Sequence, residues 1–313
     1  MIENANDGSA ATPRMRCYLN WMTLDDLPVG LTGPAATDSE GRLAAICEAG
    51  YEGVQFIAPL TKEQSAVCAR LKLGKAGSGR VNEPKDAEEL AARFSAEGME
   101  CATLHVGWGM EDNEQAAGLL HAVLAASARY GVPLYVETHR ATILQDMWRT
   151  VQFVKRFPEI RFNGDFSHWY TGLEMVYGGF QNKLQFIRPV LERVSFLHGR
   201  IGDPGSMQVD IGTGDVGSHP YVAHFRELWS AAFAGFLVRA RAGDYILFVP
   251  ELLSPRIYYA RCLATSGSER MEESDRWEQA LVLRRIAGEC FESVLQAARV
   301  REKEDAHRSS SDS

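Results

Sequence analysis

Five apolar segments of the sequence carry a histidine, an aspartate or a glutamate at or near their ends. In chain order they are "TLHVGWG" with His105, "LYVETHR" with Glu137, "FNGDFSHW" with Asp165 and His168, "SFLHGRIGD" with His198 and Arg200, and "LFVPELLSP" with Glu251. Two glutamates, one aspartate and one histidine form a mixed oxygen and nitrogen set that suits a divalent ion such as Mn²⁺, Mg²⁺ or Co²⁺. Without a cation, three carboxylates at one point would repel one another. The pattern therefore favours a metal site.

Each of these residues also has a purely structural interpretation. A lone acid at the end of a strand often caps the next helix, and this fits Asp165. His105 is as well explained by a hydrogen-bonded core histidine as by a ligand. His139 and Arg140 follow Glu137 closely and are expected in a loop or behind the site. The set as a whole favours the metal site over these separate explanations.

The elements that must position these residues alternate between strand and helix. Apolar, β-branched or aromatic runs predict strands over 15–20, 53–57, 100–106, 133–137, 161–165, 194–198 and 245–250. Amphipathic spacing predicts helices over 39–49, 86–97, 113–130, 143–157, 181–193, 220–240 and 273–299. Strict alternation predicts an α/β fold with a parallel sheet, and the absence of GxGxxG favours a (β/α)₈ TIM barrel over a Rossmann sheet.

One strand–helix unit of that barrel is poorly defined in the sequence. Either the segment 58–83 contains the eighth strand or the barrel is irregular. In such a barrel the functional residues lie at the carboxyl ends of the strands, which is where the five segments above end. The polar residues 1–13 and 301–313 are predicted to be disordered, with a single barrel domain over 14–300.

Composition narrows the class of protein. The chain has 313 residues, 45% of them hydrophobic, and a formal net charge of -8, which argues against a nucleic-acid partner. Six widely spaced cysteines suggest neither a zinc finger nor a disulfide framework. The N-terminus has no apolar signal segment and no run approaches about 18 apolar residues, so we expect a cytoplasmic protein with no membrane partner. A homo-oligomer stays open.

The pattern of strand-end residues resembles the xylose isomerase-like TIM barrels, a family of sugar phosphate isomerases and epimerases. The resemblance runs from about residue 15 to 260 and is clearest over 133–255. It implies one divalent metal, with Mn²⁺ preferred over Mg²⁺, Co²⁺, Zn²⁺ or Fe²⁺, held by four ligands: Glu137, Asp165, His198 and Glu251. The D-x-x-H motif of the family matches Asp165–His168, so His168 would face the substrate.

The substrate pocket is expected to use further side chains near these strand ends. His105, His168 and Arg200 are the predicted polar contacts. Trp108 and Trp169 are either packing residues or a wall on which a sugar ring stacks. The glycine-rich segment 201–218 that follows Arg200 is expected to close over the site when substrate binds, with Arg200 anchoring a substrate oxygen.

The resemblance implies a metal-dependent isomerase or epimerase acting on a sugar or sugar-like polyol. Glu137 and Glu251 would exchange a proton through a metal-stabilised enediolate. The alternative is a lyase or dehydratase on a keto-sugar or keto-inositol, which begins with the same proton abstraction. An endonuclease IV-like phosphodiesterase is less well supported, because Asp210-Ile211-Gly212 lacks the histidine of the expected D-x-H pair. A non-catalytic barrel subunit also stays open.

Overall fold

The computed structural model describes residues 4–27, 33–34, 38–264 and 270–311. The strands are β1 (Ala5–Asn6), β2 (Arg14–Asn20), β3 (Gly53–Phe56), β4 (Gly74–Val81), β5 (Cys101–Val106), β6 (Leu134–Glu137), β7 (Phe162–Asn163), β8 (Val194–Gly199), β9 (Asp244–Pro250), β10 (Cys262–Ala264) and β11 (Arg270–Glu272). The helices are α1 (Ser39–Glu48), α2 (Lys62–Leu71), α3 (Pro84–Glu97), α4 (Asn113–Tyr130), α5 (Met147–Arg156), α6 (Phe166–Gly172), α7 (Phe180–Phe186), α8 (Arg188–Leu191), α9 (Val222–Arg239) and α10 (Arg276–Ser311). None of the helices in these ranges is both long enough and apolar enough to span a bilayer.

Within the described residues, strands β2 to β9 form a closed parallel barrel. Each strand pairs with the next along the chain, and β9 pairs with β2 to close the ring. Helices follow the strands and cover the outside of the barrel, so the predicted (β/α)₈ TIM barrel is confirmed. The eighth strand is β4, which lies inside the segment 58–83.

Strand β4 is rich in glycine because large side chains press against its backbone. A Cβ atom on Gly77 would lie 2.5 Å from the Cε1 atom of Phe94, which packs from helix α3. A Cβ atom on Gly74 would overlap the Tyr18 ring from β2, 2.5 Å from its Cζ atom. The strand therefore has only one β-branched residue, Val81, although such residues are the ones by which strands are usually found in sequences.

The N-terminal end of the barrel is closed by aromatic rings around one carboxylate. The hydroxyls of Tyr18 and Tyr245 donate to Glu100, the second over 2.9 Å, and Arg16 pairs with the same carboxylate at 3.1 Å. The Arg16 guanidinium also lies 4.7 Å from the centre of the Tyr245 ring. The Glu100 carboxylate is thus paired at this end of the barrel, and the functional residues lie at the opposite end.

Within the described residues, parts of the two termini predicted to be disordered have regular backbone structure. Strand β1 pairs antiparallel with β9, and the Asn4 amide donates to Asp244 over 3.0 Å while accepting from the Ser195 hydroxyl at 2.8 Å. At the other end, the backbone of α10 stays helical to Ser311. At the N-terminus, Asp244 and Ser195 hydrogen-bond Asn4. At the C-terminus, the backbone continues helix α10.

Replacing Gly74 by alanine is expected to destabilise the barrel, because the added Cβ meets the Tyr18 ring. Overpacking of this kind costs about 1–3 kcal/mol. The matched control is Gly118→Ala in helix α4, where nothing lies within 4 Å of an added Cβ. That change should stabilise by about 0.5–1 kcal/mol. Urea unfolding of both variants measures the difference, and equal midpoints would contradict the packing argument.

Candidate active site

Four predicted ligands converge at the C-terminal end of the barrel. Glu137 is the last residue of β6, His198 lies in β8, and Glu251 directly follows β9. Asp165 follows β7 and begins helix α6. All four are buried, and one donor atom from each lies within 4.8 Å of the others. We call this set the Glu137–Glu251 group. It has the size and ligand types of a site that could hold one divalent ion.

Asp165 serves the fold and the group at once. Its Oδ1 atom accepts from the backbone N–H of Ser167 at 3.1 Å and from the Ser167 hydroxyl at 2.5 Å, which caps α6. Its Oδ2 atom is directed toward the other ligands, 3.9 Å from the Nδ1 atom of His198. The cap and the ligand interpretations are therefore compatible, because each uses a different oxygen.

The orientation of His198 is set by amides inside the barrel. Its Nε2 atom lies 2.9 Å from the Oε1 atom of Gln55, whose own Nε2 donates to Thr103 at 3.0 Å. Because this Oε1 also accepts from Asn20, it can only receive the Nε2 proton of His198. The Nδ1 atom then faces Glu137 and Glu251, 3.4 Å from a carboxylate oxygen of each. This is the arrangement in which a histidine presents a lone pair to a metal.

Two further amides align the carboxylates. Asn163 donates to Glu137 Oε2 at 3.0 Å and accepts from the backbone N–H of His198 at 3.0 Å. Asn20 donates to Glu251 Oε1 at 3.0 Å. The strand-end pattern of acids and histidines did not point to Asn20, Gln55 and Asn163. The available signal was a single polar residue at or near the carboxyl end of an otherwise buried strand.

Arg200 lies beneath the group rather than in an open pocket. Its Nη2 atom donates to Asp165 Oδ2 and, over 2.9 Å, to Glu251 Oε2, and its Nε atom donates to the Ser167 hydroxyl at 3.1 Å. The guanidinium also stacks 4.8 Å from the centre of the Tyr259 ring. The two carboxylates hold one edge of this cation, while its buried Nη1 atom has no hydrogen bond from the described residues, so the role of Arg200 as a substrate anchor stays a prediction.

The charges of the group favour a divalent ion. With His198 neutral, three carboxylates face one guanidinium, so two negative charges remain, which a divalent cation would neutralise. Burial lowers the pKa of His198, but Glu251 and Glu137 outweigh it and raise that pKa to about 9. Burial also raises the pKa of Glu251, whereas the pKa of Glu137 is held well below its usual value, because His105 and His198 outweigh its burial.

Three histidine rings stand in a row beside the group. The ring centres of His105 and His139 are 4.2 Å apart, and those of His139 and His168 are 3.8 Å apart. His105 Nε2 lies 3.2 Å from Glu137 Oε1, and His168 Nε2 lies 3.5 Å from Asp165 Oδ2. Burial lowers the pKa of His168 far below its usual value and that of His139 to about 2. Both rings are therefore neutral near pH 7.

The two predicted tryptophans lie in different surroundings. Trp108 is 50% exposed at the barrel mouth, with the Arg80 guanidinium 3.8 Å from its ring centre. Trp169 is 0% exposed, donates from Nε1 to the carbonyl of Leu144 at 2.8 Å and packs against Phe166 in the hydrophobic core. The structure thus corrects the sugar-stacking interpretation of Trp169, which is a packing residue.

The segment 201–218 is packed rather than open. The Gln208 side chain accepts from the backbone N–H of Leu253 at 2.9 Å and donates to its carbonyl at 3.1 Å. The backbone N–H of Ile211 donates to the Gln279 side chain at 3.1 Å. These hydrogen bonds anchor two points of the segment, and its closure over the site when substrate binds stays a prediction.

Solved structures share this architecture. A xylose isomerase-like TIM barrel protein from Mycobacterium smegmatis in complex with magnesium matches with a TM-score of 0.56 and 14% identity over 91% of this chain and 99% of that one. A D-tagatose 3-epimerase-like protein matches with a TM-score of 0.55 and 12% identity over 91% and 100%. The 3-keto-D-glucoside 4-epimerase from E. coli matches with a TM-score of 0.51 and 11% identity over 86% and 99%.

The chain has the xylose isomerase-like TIM-barrel fold. No protein-family model matches the sequence, and no curated protein matches it. At these identities the likeness establishes the fold, and the chemistry of this xylose isomerase-like barrel has to be argued from its own residues.

Metal binding is expected to strengthen as the pH rises toward 9. Below that value His198 carries a proton on Nδ1, since its pKa is raised to about 9, and an entering ion must displace the proton. The apparent affinity for Mn²⁺ should therefore rise about tenfold per pH unit between about pH 6 and 8. Calorimetry in two buffers of different ionisation enthalpy counts the released protons. An affinity that does not change with pH would contradict this arrangement.

Proposed function

We propose that this protein is a divalent-metal-dependent isomerase or epimerase of a sugar or sugar-like polyol. The observation that carries the proposal is the Glu137–Glu251 group, in which three carboxylates and one imidazole nitrogen converge at the barrel mouth. The names of two structural neighbours, a 3-keto-D-glucoside 4-epimerase and a D-tagatose 3-epimerase-like protein, support a sugar substrate.

The ligands would be Glu137, Asp165, His198 and Glu251. When bound, a divalent ion supplies Lewis acidity that makes the carbon next to a substrate carbonyl more acidic. Gln55 and Asn163 hold the His198 ring and the Glu137 carboxylate in place before any ion arrives. Arg200 lowers the repulsion between Asp165 and Glu251, so the chain keeps the site assembled.

Two carboxylates are available for proton transfer. Glu137 and Glu251 each lie 3.4 Å from His198 Nδ1 but come from different strands, β6 and β9. For an epimerisation, one carboxylate would accept the proton from the substrate carbon, and the other, protonated beforehand, would deliver its own proton to the opposite face of that carbon. For an isomerisation, the proton would be delivered to the neighbouring carbon while a hydroxyl proton passes to the former carbonyl oxygen. Return at the same carbon inverts a centre, and return at the neighbouring carbon moves the carbonyl.

Loss of the His198 side chain is expected to abolish metal binding. Elemental analysis of protein purified without chelators should find about one divalent ion per chain in the unsubstituted protein and almost none in His198→Ala. His121→Ala, on the exposed face of α4, is the matched control. Gln55→Leu should keep the ligands but weaken binding about 10–100-fold. Equal metal content in all of these variants would refute the proposed ligand set.

Removal of His168 is expected to leave the metal and reduce turnover. The imidazole lies beside Asp165 and Glu137 without belonging to the Glu137–Glu251 group, so it is positioned to contact substrate. His168→Ala should lower kcat about 10²–10⁴-fold at unchanged metal content, as when a general acid or base is removed. Loss of the metal itself in this variant would instead place His168 among the ligands.

The reaction class is tested with a panel of ketoses, aldoses and keto-inositols. Chromatography with mass detection separates an isomer, whose mass is unchanged, from a dehydrated or cleaved product. Glu137→Gln and Glu251→Gln should both abolish the reaction. An unsaturated product would move the assignment to a dehydratase that uses the same carboxylates for its first step. No turnover of any panel member by the metal-loaded protein would count against the proposed function.

A further inference from the structure

A second group of possible metal ligands lies next to the first. Among the residues that the structure describes, His105, Glu137 and His139 also bring one donor atom each to within 4.8 Å of one another. Glu137 belongs to both groups, so the spacing alone would permit two ions that share its carboxylate. The hydrogen bonds around the two imidazole rings decide whether a second ion fits.

The proton of His105 is placed by Arg80. The Nη2 atom of Arg80 lies 3.3 Å from Nδ1 of His105, and a guanidinium can only donate. Nδ1 therefore carries the lone pair and Nε2 carries the proton, which faces Glu137 Oε1 at 3.2 Å. Arg80 is fixed in turn by donating to the carbonyls of Gly107 and Ala141, over 2.6 and 3.3 Å.

The proton of His139 is placed by its own backbone loop. The N–H of Ala141 donates to Nδ1 of His139 over 3.1 Å. Its Nε2 atom therefore carries the proton and lies 3.4 Å from the hydroxyl oxygen of Tyr259. A metal at either Nε2 atom would require a lone pair there. The proton would then have to lie on Nδ1, where it would face the Arg80 guanidinium in His105 or the backbone N–H of Ala141 in His139, and both of these groups only donate.

Glu137 is the third residue of this group, beside His105 and His139. Its Oε1 atom is buried, and the described part of the chain gives it no hydrogen bond of good geometry. The Nε2–H of His105 faces this oxygen at 3.2 Å without forming a well-aligned hydrogen bond, so a better-placed donor from outside the chain would stabilise it. The same oxygen lies on the side of the carboxylate that faces His105, away from the Oε2 atom that Asn163 aligns with the other ligands.

We propose that His105, Glu137 and His139 form a binding site for one substrate hydroxyl and not for a second metal ion. A hydroxyl has one donor and two acceptor lone pairs. Glu137 Oε1 would accept its proton, and the Nε2–H groups of His105 and His139 would fill its lone pairs. Arg80 is a positioning residue that sets the tautomer of His105. The inference rests on the proposed function and specifies its substrate class: a polyol with a free hydroxyl beside the reacting atoms.

The tautomers are measured without any turnover. Two-bond proton–nitrogen correlation spectra of ¹⁵N-labelled, metal-free protein distinguish Nε2–H from Nδ1–H imidazoles, and His105→Gln and His139→Gln assign the signals. In both rings the Nε2–H tautomer should exceed the Nδ1–H tautomer. Arg80→Met, which keeps an apolar stem over Trp108, should give a tautomer mixture at His105. Arg70→Met, which removes an exposed arginine paired with Glu40, should leave the spectra unchanged. An Nδ1–H signal for His105 in the unsubstituted protein would overturn the proposal.

The occupant is identified by anomalous diffraction from crystals grown with excess Zn²⁺. One zinc peak should lie in the Glu137–Glu251 group. A water oxygen, standing in for the hydroxyl, should lie about 2.7–3.0 Å from the Nε2 atoms of His105 and His139. A second zinc peak about 2.0–2.1 Å from these nitrogens would overturn the proposal. Arg80→Met should gain zinc there, and Arg80→Lys, which keeps a donor, should not. Absence of zinc from both groups, with both Nε2–H tautomers present, would refute the proposed function and support the hydroxyl site.

Discussion

The repulsion among three buried carboxylates is the constraint on which the mouth of this barrel depends. Glu137, Asp165 and Glu251 come from three different strand ends, and burial deprives them of water that would screen their charges. The guanidinium of Arg200 and amide donors from within the barrel reduce this repulsion by hydrogen-bonding the carboxylates. Two negative charges are still uncompensated, which is the feature that makes a divalent cation the natural partner.

Different kinds of hydrogen-bond donor lie on the two sides of these carboxylates. Arg200 contacts Asp165 and Glu251 on one side, and the imidazole rings of His105 and His139 lie on the other side, beside Glu137. Arg80 donates to His105 from behind and so keeps its positive charge out of contact with the carboxylate. The geometry thereby separates the part of the site that tolerates a cation from the part that offers N–H donors.

Much of this arrangement could be predicted from the sequence, and particular residues show why the rest could not. The strand ends at Glu137, His198 and Glu251 could be recognised in the sequence because apolar runs precede them. Strand β4 could not be recognised from the sequence, because its glycines are required by close contact with Tyr18 and Phe94, which are distant in sequence. Such contacts depend on tertiary packing, which overrides local propensity.

Roles were harder to predict than positions. Trp169 follows the D-x-x-H motif closely, yet its indole points into the core and bonds the carbonyl of Leu144. Arg200 follows His198 by two residues, a spacing that predicts neither its contact with Asp165 nor its distance from solvent. The tautomers of His105 and His139 depend on donors from other loops, and a pattern of residue types carries no information about proton positions.

The ring of Tyr18, Tyr245 and Arg16 around Glu100 closes the far end of the barrel and has a kinetic consequence. Among the described residues, the exposed Trp108 and the partly exposed His105 mark the C-terminal mouth of the barrel as the approach to the buried group. An ion held by the buried carboxylates would leave by the path through which the substrate enters. Binding would therefore be ordered, with the ion first, and a saturating substrate would slow removal of the ion by a chelator.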